Sequence, residues 1–415
     1  MVKNTLHDAF KTFSEEILRK LLARKLRESE LEMPSEALEA LIRHILSGQM
    51  NDFVWDDGVG AEVKSVALEI TEDDLKEVDS AISKAIEAVP EAVHLAVDTA
   101  SELLFKSLTR RWDEEYQAQQ YELDNFREGM EQRWGKGLDY LRMLLTCSRE
   151  LGAQTFKRHK KSKSTRHRFR RWVLVRLHVR ACQITDEIIC LMENGFADGA
   201  MARWRTLHEL SVVATLIADS DEELAERYIF HDAVEVKRQA DEYEASQVPL
   251  GGPSISKRER NAIDREYLDV LGRYGATFAY PYGWAAKHLN QKKPTFKELQ
   301  AAADRAGMNS YYKLASFSVH ASARSLFYNL SSMNDPDVLL AGRCNAGFEE
   351  PGVRTAHTLV LITSLFAGKT RDLDFLSALK CLVRIRDAVG PELRKAARRL
   401  QRDERVLRKA RDGAS

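Results

Sequence analysis

Hydrophobic residues recur every three or four positions along most of this chain, the period of an α-helix, and few glycines or prolines interrupt them. Residues 1–33 read as a charged amphipathic helix with Phe10, Phe13, Ile17 and Leu21 or Leu22 at helical spacing. Pro34 and Ser35 start a second, with a face of Leu38, Leu41, Ile42, Ile45 and Leu46, and Gly48 ends it. Residues 51–80 carry ten acids against two lysines and read as a solvated connector. Thr71 is a candidate N-cap for a helix through Ile86, and Pro90 begins the next. From Asp113 to Leu151 a long helix turns from charged to apolar at Leu138, Leu141, Leu144 and Leu145.

Residues 157–180 carry eleven Lys or Arg and no acid; the first half lacks periodicity and reads as a loop, the second as a helix continuing to Leu191. Asn194-Gly195 closes that helix, and Asp198 is expected to cap the next one, which runs to Ile217. Further helices are expected from Asp221 to about Tyr243, over 257–273, from Thr295 to near Gly307, and from Asn309 through Tyr328. Residues 331–352 read as an irregular loop, followed by three closing helices near 353–367, 371–389 and 391–411. The expectation is an all-α fold: an N-terminal helical region over 1–135 and a helical-bundle domain over 136–415.

Composition narrows the function classes. Lys plus Arg and Asp plus Glu are equal at 63 each over 415 residues, so any polyanionic partner must be met by a local cluster. The five cysteines are scattered, with no Cys-x-x-Cys pair and no zinc spacing, which suits a reducing compartment. The first twenty residues lack the pattern of a secretory leader, and the longest apolar run, Leu359 to Ala367, is too short to span a bilayer. A cytoplasmic protein without cofactor or metal is expected. Phosphate-loop, dinucleotide, zinc-protease and nucleophile-elbow motifs are all missing.

Candidate chemistry lies on two stretches. In Gly195–Ile217, Arg205 and Glu209 are one turn apart on a helix apolar on nearly all sides, which predicts a buried ion pair. In Tyr311–Tyr328, Tyr312, Ser316 and His320 recur every fourth residue, and Ala323 and Phe327 continue the stripe toward a packed face. Together they form a candidate catalytic group, Arg205, Glu209, Tyr312, Ser316 and His320, with Tyr228 and Trp284 nearby. His320 would serve as acid or base and Arg205 would bind an anion. The bland alternative is a hydrogen-bond network that only fixes helix register.

All-helical ribonucleases of the HEPN type carry an arginine and a following histidine with four to six residues between them. Arg203…His208 and Arg171…His178 fit that spacing. On a regular helix, however, five residues rotate Arg203 and His208 apart by about 140°, which takes Arg203 to the apolar side. Lys160, Lys161, Lys163, Arg166, Arg168, Arg170 and Arg171 are the candidate nucleic-acid-binding residues, with Phe169 and Trp172 placed to stack on bases.

Residues 195–328 also resemble an uncharacterised bacterial family, the domain-of-unknown-function family 5677. The resemblance rests on Arg205-x-x-x-Glu209 after the Gly195–Ala200 turn, on Trp284, and on Tyr311/Tyr312…Ser316…His320. It implies an all-helical fold and points to the same polar residues, but implies no reaction. The reading that joins these signals is an RNA-acting stress or phage-defence effector, with metal-independent ribonuclease as the leading activity. The alternative is a non-catalytic, homo-oligomeric interaction module.

Overall fold

The computed structural model describes residues 2–48, 52–55, 66–161, 166–327, 330–331, 340–368 and 372–412; side chains are described except those of 2–11, 14, 250, 411 and 412. Phe10, Lys163, Tyr328 and much of the acidic segment, 56–65, therefore lie outside the described residues or side chains. Among the described residues the architecture is all-α, without strands. The helices are α1 (Val2–Glu28), α2 (Ser35–Leu46), α3 (Glu72–Lys161), α4 (Arg168–Glu193), α5 (Ala197–Asp219), α6 (Glu222–Phe230) and α7 (Asp232–Leu250). They continue with α8 (Lys257–Tyr274), α9 (Ala286–Leu289), α10 (Phe296–Ala302), α11 (Asn309–Phe317), α12 (Ala323–Phe327), α13 (Glu349–Ala367) and α14 (Leu373–Asp412). The chain divides into two compact units, Met1–Gln120 and Tyr121–Ser415.

The first unit has a small core of Leu22, Leu41 and Ile42, closed by Leu18, Met33, Leu38, Phe53 and Leu68. Thr71 caps α3 as its sequence suggests: its hydroxyl meets the Asp74 amide, and its own amide donates to the Asp74 carboxylate at 2.8 Å. That carboxylate also takes Lys25 at 2.6 Å and Arg24 at 2.5 Å. The hydrogen bond from Lys25, followed by those from Thr71, holds it well below the usual carboxylate range. The acidic segment is thus tied at Asp74 to basic residues of α1. Beyond Pro90, α3 exposes Leu103, Leu104, Phe105, Leu108 and Trp112.

Three helical segments expected between 71 and 151 are one helix, and so are two of the closing segments. Pro90 lies within α3 and Pro391 within α14. A proline removes one backbone donor, but good helix formers on both flanks carry the helix past it. At Pro391 the preceding residue is Gly390, which has no Cβ to crowd the ring. Residues 157–161 are likewise helical rather than loop, as the last turn of α3. There the basic side chains Arg158, Lys160 and Lys161 face the negative end of the helix dipole.

The core of the second unit joins Met130 to Leu151 of α3 with α4, α5, α13 and α14. α4 and α5 form a helical hairpin, and α13 packs on both. Its corner is a Schellman turn: Gly195 at φ +84° donates to Met192 O, and Phe196 N donates to Leu191 O at 2.9 Å. Asp198 does not cap α5. Phe196 holds the cap position, and the Asp198 carboxylate instead accepts from the amides of Leu330 and Ser331 and the Ser331 hydroxyl. Thr295 and Glu298 form the cap of α10. The helix expected over 309–328 is broken: α11 ends at Phe317, and a turn over 318–322 precedes α12.

Gly195→Ala tests the corner that aims α5. Its left-handed backbone alone costs a side-chain-bearing residue about 1–2 kcal/mol, and an added Cβ would fall 2.6 Å from the Phe126 ring. We expect a lower urea midpoint with an unchanged m-value; a variant as stable as wild type would contradict this account of the turn.

Candidate functional site

α5 presents its side chains to several neighbours. Trp204, Leu207, Val212, Ala214 and Ile217 are fully buried, as helical periodicity requires. Arg205 and Glu209 are not buried as expected; their side chains retain 22 % and 38 % exposure and pair at 3.3 Å across one turn. α11 lies over this part of α5 and contributes Tyr312. The Tyr312 hydroxyl accepts from Arg205 Nη2 at 2.8 Å and donates to Glu209 Oε1 at 2.8 Å. The guanidinium also lies 4.7 Å from the centre of the Tyr312 ring. Burial, then the hydrogen bond to Glu209, pushes the phenol up to about 12.

His320 completes the group from the turn after α11. Its Nε2 lies 3.2 Å from Arg205 Nη1. A guanidinium can only donate, so Nε2 is the acceptor and a neutral ring carries its proton on Nδ1. The imidazole is exposed. The arrangement runs carboxylate, phenol, guanidinium, imidazole; His320 is an exposed residue and the other three are part-buried.

Three of the expected residues make no hydrogen bond to the side chains of the group. The Ser316 hydroxyl is turned back onto Tyr312 O of its own helix at 2.8 Å, the usual i−4 bond of a helical serine, so it adds nothing to the group. Tyr228 and Trp284 pack edge-to-face on each other, with ring centres 5.0 Å apart. The missed aromatic is Tyr282, whose half-buried phenol is raised by burial and by the field of Glu209. Phe327, expected to face packing, is 85 % exposed because the helix breaks before it.

The alternative histidines are buried. Arg203 turns away to pair with Glu187 of α4. His208 is 2 % exposed, stacked on Trp204 at 5.3 Å and bonded to Gln300 Nε2 at 2.9 Å. Burial, then Arg305, lowers it to about 4. His178 is 3 % exposed against Phe366 and is lowered to about 4 by burial alone.

The basic stretch is only in part an open surface. Arg170 donates to Ser220 O and its amide meets Glu222. Phe169 packs edge-on against Phe230 rather than standing free to stack on a base, and Trp172 is covered by Arg176 at 3.4 Å. Arg171 bonds to His167 O. Lys160, Lys161, Arg166 and Arg168 are exposed. Arg170 meets the far end of α5, about 22 Å along that helix from Arg205 by the helical rise. The cluster and the His320 group are therefore separate. Among the described residues no group of three or more His, Cys, Asp or Glu is placed to hold a metal ion, and no helix is long and apolar enough to cross a membrane.

Fold and site together define an all-α domain with a four-residue polar group at an α5–α11 contact. Residues 171–337 match a family of unknown function, DUF5677, and this stretch contains all four members of the group. No curated protein and no solved structure matches the chain.

Two outcomes follow from the titrations. A phenol raised above its unfolded value is stabilised in its protonated form, so the Tyr312 contribution is whole below about pH 10 and is lost as pH rises toward 12. In Tyr312→Phe the decline of stability over that interval should be shallower than in wild type, read from urea midpoints. The depressed histidines give the opposite sign. His178 and His208 stabilise the fold above about pH 6.5, and that contribution is lost as pH falls toward 4. Urea midpoints that stay level from pH 6.5 to 5 would show that these rings are not held neutral.

Proposed function

We propose that the second unit is an RNA-acting domain that cleaves phosphodiester bonds without a metal ion, with His320 as proton acceptor and Arg205 as the phosphate-holding cation. The observation that carries this reading is the exposed His320 imidazole held by a guanidinium that Tyr312 and Glu209 fix from behind. When Arg205 turns to a substrate phosphate, Nε2 of His320 is freed. It takes the proton of the ribose 2′-hydroxyl, the 2′-oxygen bonds to phosphorus, and the P–O5′ bond breaks. The 5′-oxygen takes a proton from water, leaving a 2′,3′-cyclic phosphate. Tyr312 and Glu209 are positioning residues on this scheme. Lys160, Lys161, Arg166 and Arg168 would bind more distant phosphates, in a salt-dependent way. Such an activity suits a stress or phage-defence effector of the cytoplasm.

One observation favours a second reading. Tyr312 ties α11 to two residues of α5, which is also what a purely structural staple would do. In that case the protein is a non-catalytic interaction module. The apolar residues exposed on α3 support homo-oligomerisation under either reading.

Labelled RNA without added metal separates the two. Wild type should yield products ending in 2′,3′-cyclic phosphate. His320→Ala and Arg205→Ala should lose on the order of a hundredfold or more in rate, the usual worth of a positioned acid–base group. Cleavage by folded variants at the wild-type rate removes both residues from catalysis, and no cleavage or binding by wild type at low salt ends the RNA reading.

A further inference from the structure

A cleft of about 390 Å³ opens in the second unit between α5, α13, α14 and the turn before α11. Its lining includes three arginines, Arg305, Arg354 and Arg386, and two histidines, His208 and His357, but no carboxylate. α13 supplies Arg354, His357, Thr358 and Ser364 from one face, at spacings of three, four and ten residues. α14 supplies Arg386, and Arg305 stands alone in the turn before α11. Arg354 and Arg386 lie outside the stretch that matches the family, so the cleft combines that stretch with the C-terminal helices.

The charges in the cleft are not balanced within the fold. Arg354 has Glu350 at 3.1 Å and Arg386 has Asp387 at 2.9 Å. Arg305 has no ion pair among the described residues, and its Nε is buried without a hydrogen-bond partner. Burial lowers His357, and so does the field of Arg386 and Arg354 beside it; His208 responds in the same way to Arg305. Burial is the larger cause for both rings, and at His357 Asp387 works against the two arginines. Holding like charges together in a cleft opposes folding unless something of the opposite sign enters. Arginine is also the side chain whose planar fork fits two oxygens of one phosphate. A volume near 400 Å³ is of the order of small-molecule sites and too narrow for a folded partner. The Ser211 and Thr358 hydroxyls in the wall are turned onto their own helices, to His208 O and Arg354 O, so the arginines are its principal donors.

We propose that this cleft binds a small phosphorylated ligand with two adjacent anionic groups, a diphosphate or its nucleoside ester, held by Arg305, Arg354 and Arg386. With Glu350 and Asp387 counted, the three arginines leave one uncompensated positive charge, that of Arg305, to attract the ligand, and the forks of Arg354 and Arg386 add donors beside it. Because His208 of the cleft wall touches Tyr312 at 5.8 Å between ring centres, the site adjoins the Arg205 group while using none of its four residues.

The test is calorimetric titration of the full chain with pyrophosphate, ADP and inorganic phosphate at low salt. Pyrophosphate or ADP should saturate at one site and inorganic phosphate should bind more weakly. Equal affinity for the first two would mean that phosphates alone are read, and tighter ADP that the nucleoside is read too. Arg305→Gln and Arg386→Gln should each weaken binding by roughly ten- to hundredfold, the worth of a charge-assisted bond. Arg386→Lys, which keeps the charge but loses the fork, should fall between, and it covers the case in which Arg305→Gln fails to fold. Arg205→Ala should bind as wild type does, so that failure of the RNA reading leaves this result unaffected. Wild type that takes up neither pyrophosphate nor ADP, or folded arginine variants that bind them unchanged, would overturn the proposal.

Discussion

α5 is enclosed by α4, α13 and α11, and that enclosure governs what its polar residues can do. A side chain on a surrounded helix has lost most of its water, so each polar group needs a partner on another element. Arg203 finds Glu187 on α4, His208 finds Gln300 on α10, and Trp204 bonds to Thr358 of α13 at 3.1 Å. Arg205 and Glu209 share Tyr312 of α11. One helix thereby organises four separate polar contacts, and it can do so because the Gly195 turn fixes its direction against α4.

The same enclosure decides which groups stay available for chemistry. His208 and His178 are closer to the core than His320, and burial keeps them neutral and inaccessible. His320 escapes because α11 stops three residues before it. The helix break looks like a loss of order in sequence terms. In the structure it brings an imidazole out of the packed layer while leaving one nitrogen against Arg205.

Positive charge is distributed by the same logic. The richest basic stretch of the sequence spends Arg170 and Arg171 on backbone carbonyls and has Arg158 paired with Asp372. The less conspicuous arginines 305, 354 and 386 are scattered over more than eighty residues, yet they meet at one cleft. Local density of Lys and Arg therefore shows neither which cations of the basic stretch are engaged within the fold nor that three distant arginines line one cleft. Packing sets whether a cation faces solvent, a carbonyl or another cation.

Periodicity and residue type along the chain were enough for the all-α class, the α4–α5 corner at Gly195, the Thr71 cap, the helix start at Thr295 and the choice of Arg205, Glu209, Tyr312 and His320, with Ser316, as a candidate group. These depend on local physics, in which a 3.6-residue repeat, a left-handed glycine or a capping hydroxyl acts within a few residues. Only the tertiary structure decided that Arg205 and Glu209 stay partly exposed, that Asp198 serves a distant loop, that Ser316 turns back on its own helix, and that Pro90 and Pro391 do not end their helices. It alone brought Arg305, Arg354 and Arg386 together. Each of these depends on which surfaces meet across long separations in the chain, and burial, pairing and charge crowding are properties of those meetings rather than of any one segment.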